Sequence, residues 1–134
     1  MDWKLELIIL PVTDIDRAKR FYQDKLGFTL DVDHSAGEDF RIVQLTPPGS
    51  ACSVTLMRKP ESAGSVQGLH LVVTDIEAAH AELTGRGADV SEVFHFANGV
   101  QTSGPDPARG SYNSFVSFAD PDGNGWLVQE ANRT

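Results

Sequence analysis

Four histidines (His34, His70, His80 and His95), one cysteine (Cys52) and a surplus of carboxylates are the side chains of this chain with obvious chemical potential. The histidines share no spacing at which one strand or one helical turn would aim two imidazoles at a common metal. His80 falls on the surface of an expected helix and reads as inert. A single cysteine makes no intrachain disulfide and no cysteine-based zinc cluster. Ala51-Cys52-Ser53 has no basic neighbour in sequence to favour the thiolate, so Cys52 reads as packing. The sequence contains no Gly-x-Ser-x-Gly elbow, no His-Glu-x-x-His helix, no phosphate-cradling glycine loop and no dinucleotide fingerprint. Any chemistry must therefore come from residues that strand pairing brings together, and His70 inside an apolar run is the foremost of these.

The chain has 134 residues, enough for one core without covalent staples. Eleven Lys and Arg oppose nineteen Asp and Glu, a formal net charge of -8. That balance repels phosphate backbones and anionic membrane surfaces, so neither nucleic acid nor membrane is an expected partner. A small-molecule ligand that is cationic or neutral fits better. No secretory n-region and h-region opens the chain and no long apolar run crosses it, so the expected location is cytoplasmic.

The elements that must position these residues come in two similar sets. Val-Thr-Asp-Ile occurs at residues 12–15 and again at 73–76, with Leu10 and Leu71, Ala18 and Ala79 matching at the same offset. Each copy follows an apolar run, residues 5–12 and 69–73, that reads as a buried strand. Each also opens a helix. Thr74 with Glu77 has capping-box spacing and Thr13 with Asp16 a weaker form of it, while Asp14 and Asp75 add negative charge where the helix dipole favours it. The helices are expected over 14–25, closed by Gly27, and over 75–84, closed by Gly85 and Gly87. Three strands are expected after each helix: 28–34, 40–46 and 52–58, then 89–95, 112–119 and 126–130. Pro47-Pro48-Gly49-Ser50 and Asp120-Pro121-Asp122-Gly123-Asn124-Gly125 are the turns. The division is module one over 1–58, a linker over 59–67 and module two over 68–134. Residues 97–111 have no counterpart in module one and read as either a lid or a surface loop.

The segment from Leu10 to Phe28, with its Phe21-Tyr22 and Leu26-Gly27-Phe28 signatures, resembles the first strand and helix of the vicinal oxygen chelate superfamily, the glyoxalase and bleomycin-resistance proteins. Asp120-Pro-Asp-Gly-Asn124 resembles that superfamily's terminal hairpin. The resemblance implies an α+β fold of two βαβββ modules whose mixed sheet curls into a cup. It spans metal-dependent lyases, isomerases and dioxygenases as well as metal-free drug-binding proteins, so fold alone does not choose an activity.

Carrying the enzymes' metal positions onto this sequence gives Leu7, Thr55, Gly68 and Leu127. Two leucines and a glycine offer no donor, and a threonine hydroxyl is a poor ligand for divalent metals that take imidazole or carboxylate. No metal and no cofactor are therefore expected. Strand alternation assigns Leu5, Leu7 and Ile9 to the cavity face and Ile8, Leu10 and Val12 to the helix face. The same parity places Ser53, Thr55 and Met57 on the cavity side of the fourth strand, His70 beside Gly68, and Gln129 beside Leu127. The expected ligand-binding set is thus His70, Thr55, Gln129, Leu7, Met57 and Leu127, a mostly apolar surface with few polar groups. His70 reads either as a ligand partner or base or as a satisfied core histidine. Trp126 reads as core or interface, and Glu130 as a solvated or interfacial carboxylate.

The reading that follows is a homodimeric, metal-free protein binding a small organic molecule, of the drug-binding or sequestration type associated with antibiotic resistance. The alternative is an enzyme of the same superfamily with displaced ligands or metal-independent chemistry.

Overall fold

The structure, a computed structural model, describes residues 1–132. The chain forms two compact units, one of Met1–Val66 with Asp120–Asn124, the other of Gln67–Ala119 with the chain from Gly125 onward.

In the first unit β1 (Leu7–Val12) leads into α1 (Ile15–Arg20), followed by β2 (Thr29–Ser35), β3 (Arg41–Thr46) and β4 (Ser53–Arg58). The sheet order is β1-β4-β3-β2, with β1 parallel to β4 and the other pairs antiparallel. Alternation along the strands decides what is buried. Leu10, Val12, Val43, Leu45, Val54 and Leu56 are at most 3% exposed and form the core with Ile15, Ala18 and Tyr22 from the helix. Ile9, of the opposite parity, is 48% exposed.

Asp14 caps α1 directly, accepting from the Arg17 amide at 3.1 Å. The expected Thr13–Asp16 box does not form, because Thr13 turns its amide and hydroxyl to Asp122 instead. The helix also does not stay α to Lys25. Phe21–Lys25 widens to π geometry, with the Leu26 amide bonding back to the Phe21 carbonyl. This turn carries Tyr22, whose ring packs on Phe21 and Phe28 and whose hydroxyl donates to Asp120.

The Asp120–Asn124 turn is part of this unit's interior. Asp120 accepts from Tyr22, from the amides of Asp122 and Asn124, and from the Asn124 side chain. Asn124 also donates to the Pro11 carbonyl, and its Oδ1 accepts from Val66. Gly64, at φ +82, lies so close that a Cβ would sit 2.2 Å from the Asp122 carbonyl oxygen.

In the second unit β5 (Leu69–Val73) leads into α2 (Ile76–Gly85), then β6 (Phe94–Ala97), β7 (Val100–Ser103), β8 (Phe115–Ala119) and β9 (Gly125–Glu130). The order is β5-β9-β8-β6-β7, with β5 parallel to β9. Asp75 caps α2 through the Glu77 and Ala78 amides, so the two Val-Thr-Asp-Ile segments do the same task, each turning a first strand into a helix with aspartate at the cap. Val116, Phe118, Trp126 and Val128 pack under α2 with Ile76 and Leu83. Trp126 is core, stacked on Phe118 with ring centroids 6.0 Å apart.

Three expectations need correction here. The strand expected over 89–95 begins only at Phe94, since Ser91 is tied to Ser117 outside the ladder. Residues 97–111 contain a fourth post-helix strand, β7, that pairs back on β6. The strand expected from Tyr112 starts at Phe115, because Tyr112 has φ 67, which a strand does not tolerate. Among the described residues no helix is long and apolar enough to cross a membrane.

Candidate functional site

Each sheet has one face under its own helix and one turned away from it, and the expected site residues fall on the second kind. In the first unit this face is built in lateral rows. Leu7 lies beside Ser53, Thr55 between Ile9 and Gln44, and Pro11 beside Met57. Thr55 is 5% exposed and Ser53 4% exposed. Met57 is half-buried and borders a cleft of about 430 Å³ with Asp14, Asp16, Asp39, Phe40 and Arg41.

The polar groups of this face are ordered. Thr46 donates its hydroxyl to Asp31 and lies 2.7 Å from the Ser53 hydroxyl. The Thr55 hydroxyl is buried with no hydrogen-bond partner, alone in this among the described residues. Behind the sheet, Arg41 and Lys19 converge on Asp33 and hold its carboxyl well below the usual range, chiefly through the Arg41 hydrogen bonds.

In the second unit His70, Val72, Leu127, Gln129, Ser117 and Phe115 share the face away from α2, with His70 directly beside Leu127 and Gln129 between Val72 and Phe115. His70 is exposed, and its Nδ1 lies 2.6 Å from the Gly68 carbonyl oxygen. A carbonyl only accepts, so Nδ1 carries a proton, and Nε2 is the ring nitrogen left for a further contact. This excludes the reading of His70 as a core histidine. His95 has the opposite parity and is 6% exposed, with Nδ1 donating to Gly104.

Three phenylalanines on this face escaped the expected set. Phe94 and Phe96 alternate on β6, and Phe94 pairs with Phe115 on β8. Their rings lie 5.5 to 6.0 Å apart in tilted and edge-on contact. Phe96 is 44% exposed, and the Asn113 side chain grips its backbone at both the amide and the carbonyl. The period-two Phe-His-Phe pattern was the signal. The expected strand stopped at His95 and hid it.

Glu130 is not solvated. It is 1% exposed, accepts from the Ile76 amide at 2.9 Å, and is gripped by Arg109 at 3.0 and 2.6 Å. The Arg109 hydrogen bonds, followed by the Ile76 amide, hold its carboxyl below the ordinary value against the opposing effect of burial. Arg109 also reaches Glu77 and Asp75, so it fastens the end of the 97–111 segment to the start of α2.

The donor set does not suit a metal. Leu7, Thr55 and Leu127 lie on β1, β4 and β9 and Gly68 just precedes β5, and among the described residues no group of three or more His, Cys, Asp or Glu is arranged to hold an ion.

The sequence profile of the Glyoxalase/Bleomycin resistance protein/Dioxygenase superfamily matches residues 4–128. The chain belongs to this superfamily. Among solved structures it is similar to TnmS3, an antibiotic binding protein from Streptomyces sp. CB03234, with 29% identity, 98% of each chain covered and a TM-score of 0.75. A glyoxalase/bleomycin resistance protein from the same Streptomyces is 31% identical, covering 95% of this chain and all of its own, at a TM-score of 0.71. The uncharacterized protein YetH of Bacillus subtilis (strain 168) is 29% identical over 119 residues, 89% of this chain and 91% of YetH.

Proposed function

We propose that this chain binds a small, flat, largely apolar organic molecule against the helix-free face of its sheets, without the metal that enzymes of the superfamily use. One observation carries the reading: the positions that would hold the metal bear Leu7, Thr55, Gly68 and Leu127, while β6 and β8 of the second unit bear the wall of Phe94, Phe96 and Phe115. Aromatic walls gain from stacking and apolar burial, and His70 Nε2 and Gln129 supply directed polar contacts beside them. The likeness to an antibiotic binding protein supports a sequestration role of the kind that confers drug resistance. A net charge of -8 favours cationic or neutral ligands. The working form is a cytoplasmic homodimer.

A thermal-shift screen of drug-like compounds and metabolites tests this, because a ligand that binds only the folded state raises its apparent stability. The expected result is stabilisation by planar aromatic compounds, weakened about tenfold in affinity by Phe96→Ala. A screen in which no such compound stabilises the protein, or hits that Phe96→Ala leaves untouched, overturns the proposal.

A further inference from the structure

We propose that Ser53 and Thr55 form a subsite on β4 that reads a hydrogen-bond donor on the ligand, an ammonium above all, and rejects carboxylates. The inference rests on the small-molecule reading above and deepens it.

Thr46 gives its only hydroxyl proton to Asp31, a carboxylate that can only accept. In the Thr46–Ser53 contact at 2.7 Å, Thr46 has no proton left, so Ser53 is the donor. The chain therefore runs Ser53 to Thr46 to Asp31, and Ser53 ends it with lone pairs only. Each link polarises the next and makes the terminal oxygen a better acceptor.

Thr55 lies two residues further along the same face of β4, buried and without a partner. Same-face residues on a strand are roughly 6–7 Å apart, so one donor atom between the two hydroxyls sits about 3 Å from each. Leu7 and Ile9 flank the pair on β1 and Gln44 and Thr46 on β3, an apolar wall on one side and neutral polar groups on the other. No cation faces this site from those strands, so a carboxylate finds one hydroxyl proton, on Thr55, the lone pairs of Ser53 and no counter-charge, whereas an ammonium finds two acceptors. Met57, next along the face and half-buried, is an adaptable side chain at the end of the row.

The test uses three probes with one ring system and different head groups: naphthylmethylamine, naphthylmethanol and naphthoate. Each is titrated into the full chain and followed through backbone amide shifts at residues 53–55. The expected order is amine, then alcohol, then naphthoate, with at least about tenfold between the first and last. Thr55→Val weakens the amine. Thr46→Val frees the Ser53 proton and narrows the amine-to-naphthoate ratio, whereas Thr46→Ser keeps it. Asp31→Asn, at an exposed position and so safe for folding, can donate to Thr46 and reverse the chain, and it narrows the ratio as well. Probes that bind with no preference, or a preference that Thr46→Val and Asp31→Asn leave intact and that arises from net charge alone, overturn this subsite while sparing the proposed function. Failure of all three probes to bind also overturns this subsite, while the proposed function falls only with the thermal-shift screen.

Discussion

Thr55→Val is expected to make the protein more stable. In the folded chain the Thr55 hydroxyl is buried and makes no hydrogen bond, whereas in the unfolded chain it is fully solvated. A buried hydroxyl without a partner costs about 1–3 kcal/mol relative to water. Valine has the same branched shape, fits the same strand and removes that cost, while the added methyl contributes a little apolar burial. Allowing for residual structure in the unfolded chain, the net gain is about 1–2 kcal/mol. For a chain of this length that is a rise in Tm of roughly 3–10 °C. The assay is urea unfolding at constant m together with calorimetry, so that a change in midpoint reports stability and not denatured-state compaction. Ser53→Ala is the contrast. Ser53 is partnered, so removing its hydroxyl leaves Thr46 short of a bond and does not stabilise. A Thr55→Val protein with a lower midpoint than wild type would mean that the hydroxyl is satisfied in solution and would refute the reasoning.

Four further outcomes follow from the same geometry. Glu130 has a folded-state pKa held below its ordinary value of 4.5, so its contribution to stability is present above that value and is lost as pH falls through the folded value. Arg109→Met should lower the urea midpoint at pH 7 and flatten the acid limb of the stability profile, and an unchanged limb would remove the Arg109–Glu130 contact from the account. Asp120→Ala cuts the bonds to Tyr22 and Asn124 inside the first unit and should cost about 2–4 kcal/mol by denaturant unfolding, with Asp120→Asn costing less. Asn113→Ala should speed amide exchange at Phe96 and weaken aromatic ligands while sparing the core, a pattern that hydrogen exchange resolves residue by residue. His70→Ala should weaken ligand binding by about 1–3 kcal/mol at unchanged midpoint, since His70 is exposed and only its own Gly68 carbonyl depends on it. Unchanged affinity would take His70 out of the site.

Much of this fold was readable because its signals are local. The repeated Val-Thr-Asp-Ile segments marked both strand-to-helix junctions, and alternation separated Leu10 and Val12 from Ile9 correctly. What escaped depends on contacts distant in sequence. The Asp120–Asn124 turn looked like a plain hairpin connector, yet its side chains complete the first unit through Thr13, Pro11 and Tyr22, more than ninety residues away. Glu130 looked solvated because its partner, Arg109, lies at the end of a glycine- and proline-rich segment with no periodic pattern to place it. The same segment concealed β7. At the site, parity put Thr55, Met57, His70, Leu127 and Gln129 on the faces turned from the helices, but parity says nothing of hydrogen-bond state. That Thr55 lacks a partner, or that Asn113 braces Phe96, depends on how the chain packs in three dimensions.

The central claim is ligand binding without a metal. Its most direct test is a calorimetric titration of the strongest compound from the thermal-shift screen into protein stripped with a chelator, repeated with zinc or manganese present in excess. The account predicts the same affinity and one ligand per site in both, with elemental analysis of the purified protein finding no stoichiometric divalent metal. Binding that appears only when the metal is restored would contradict it.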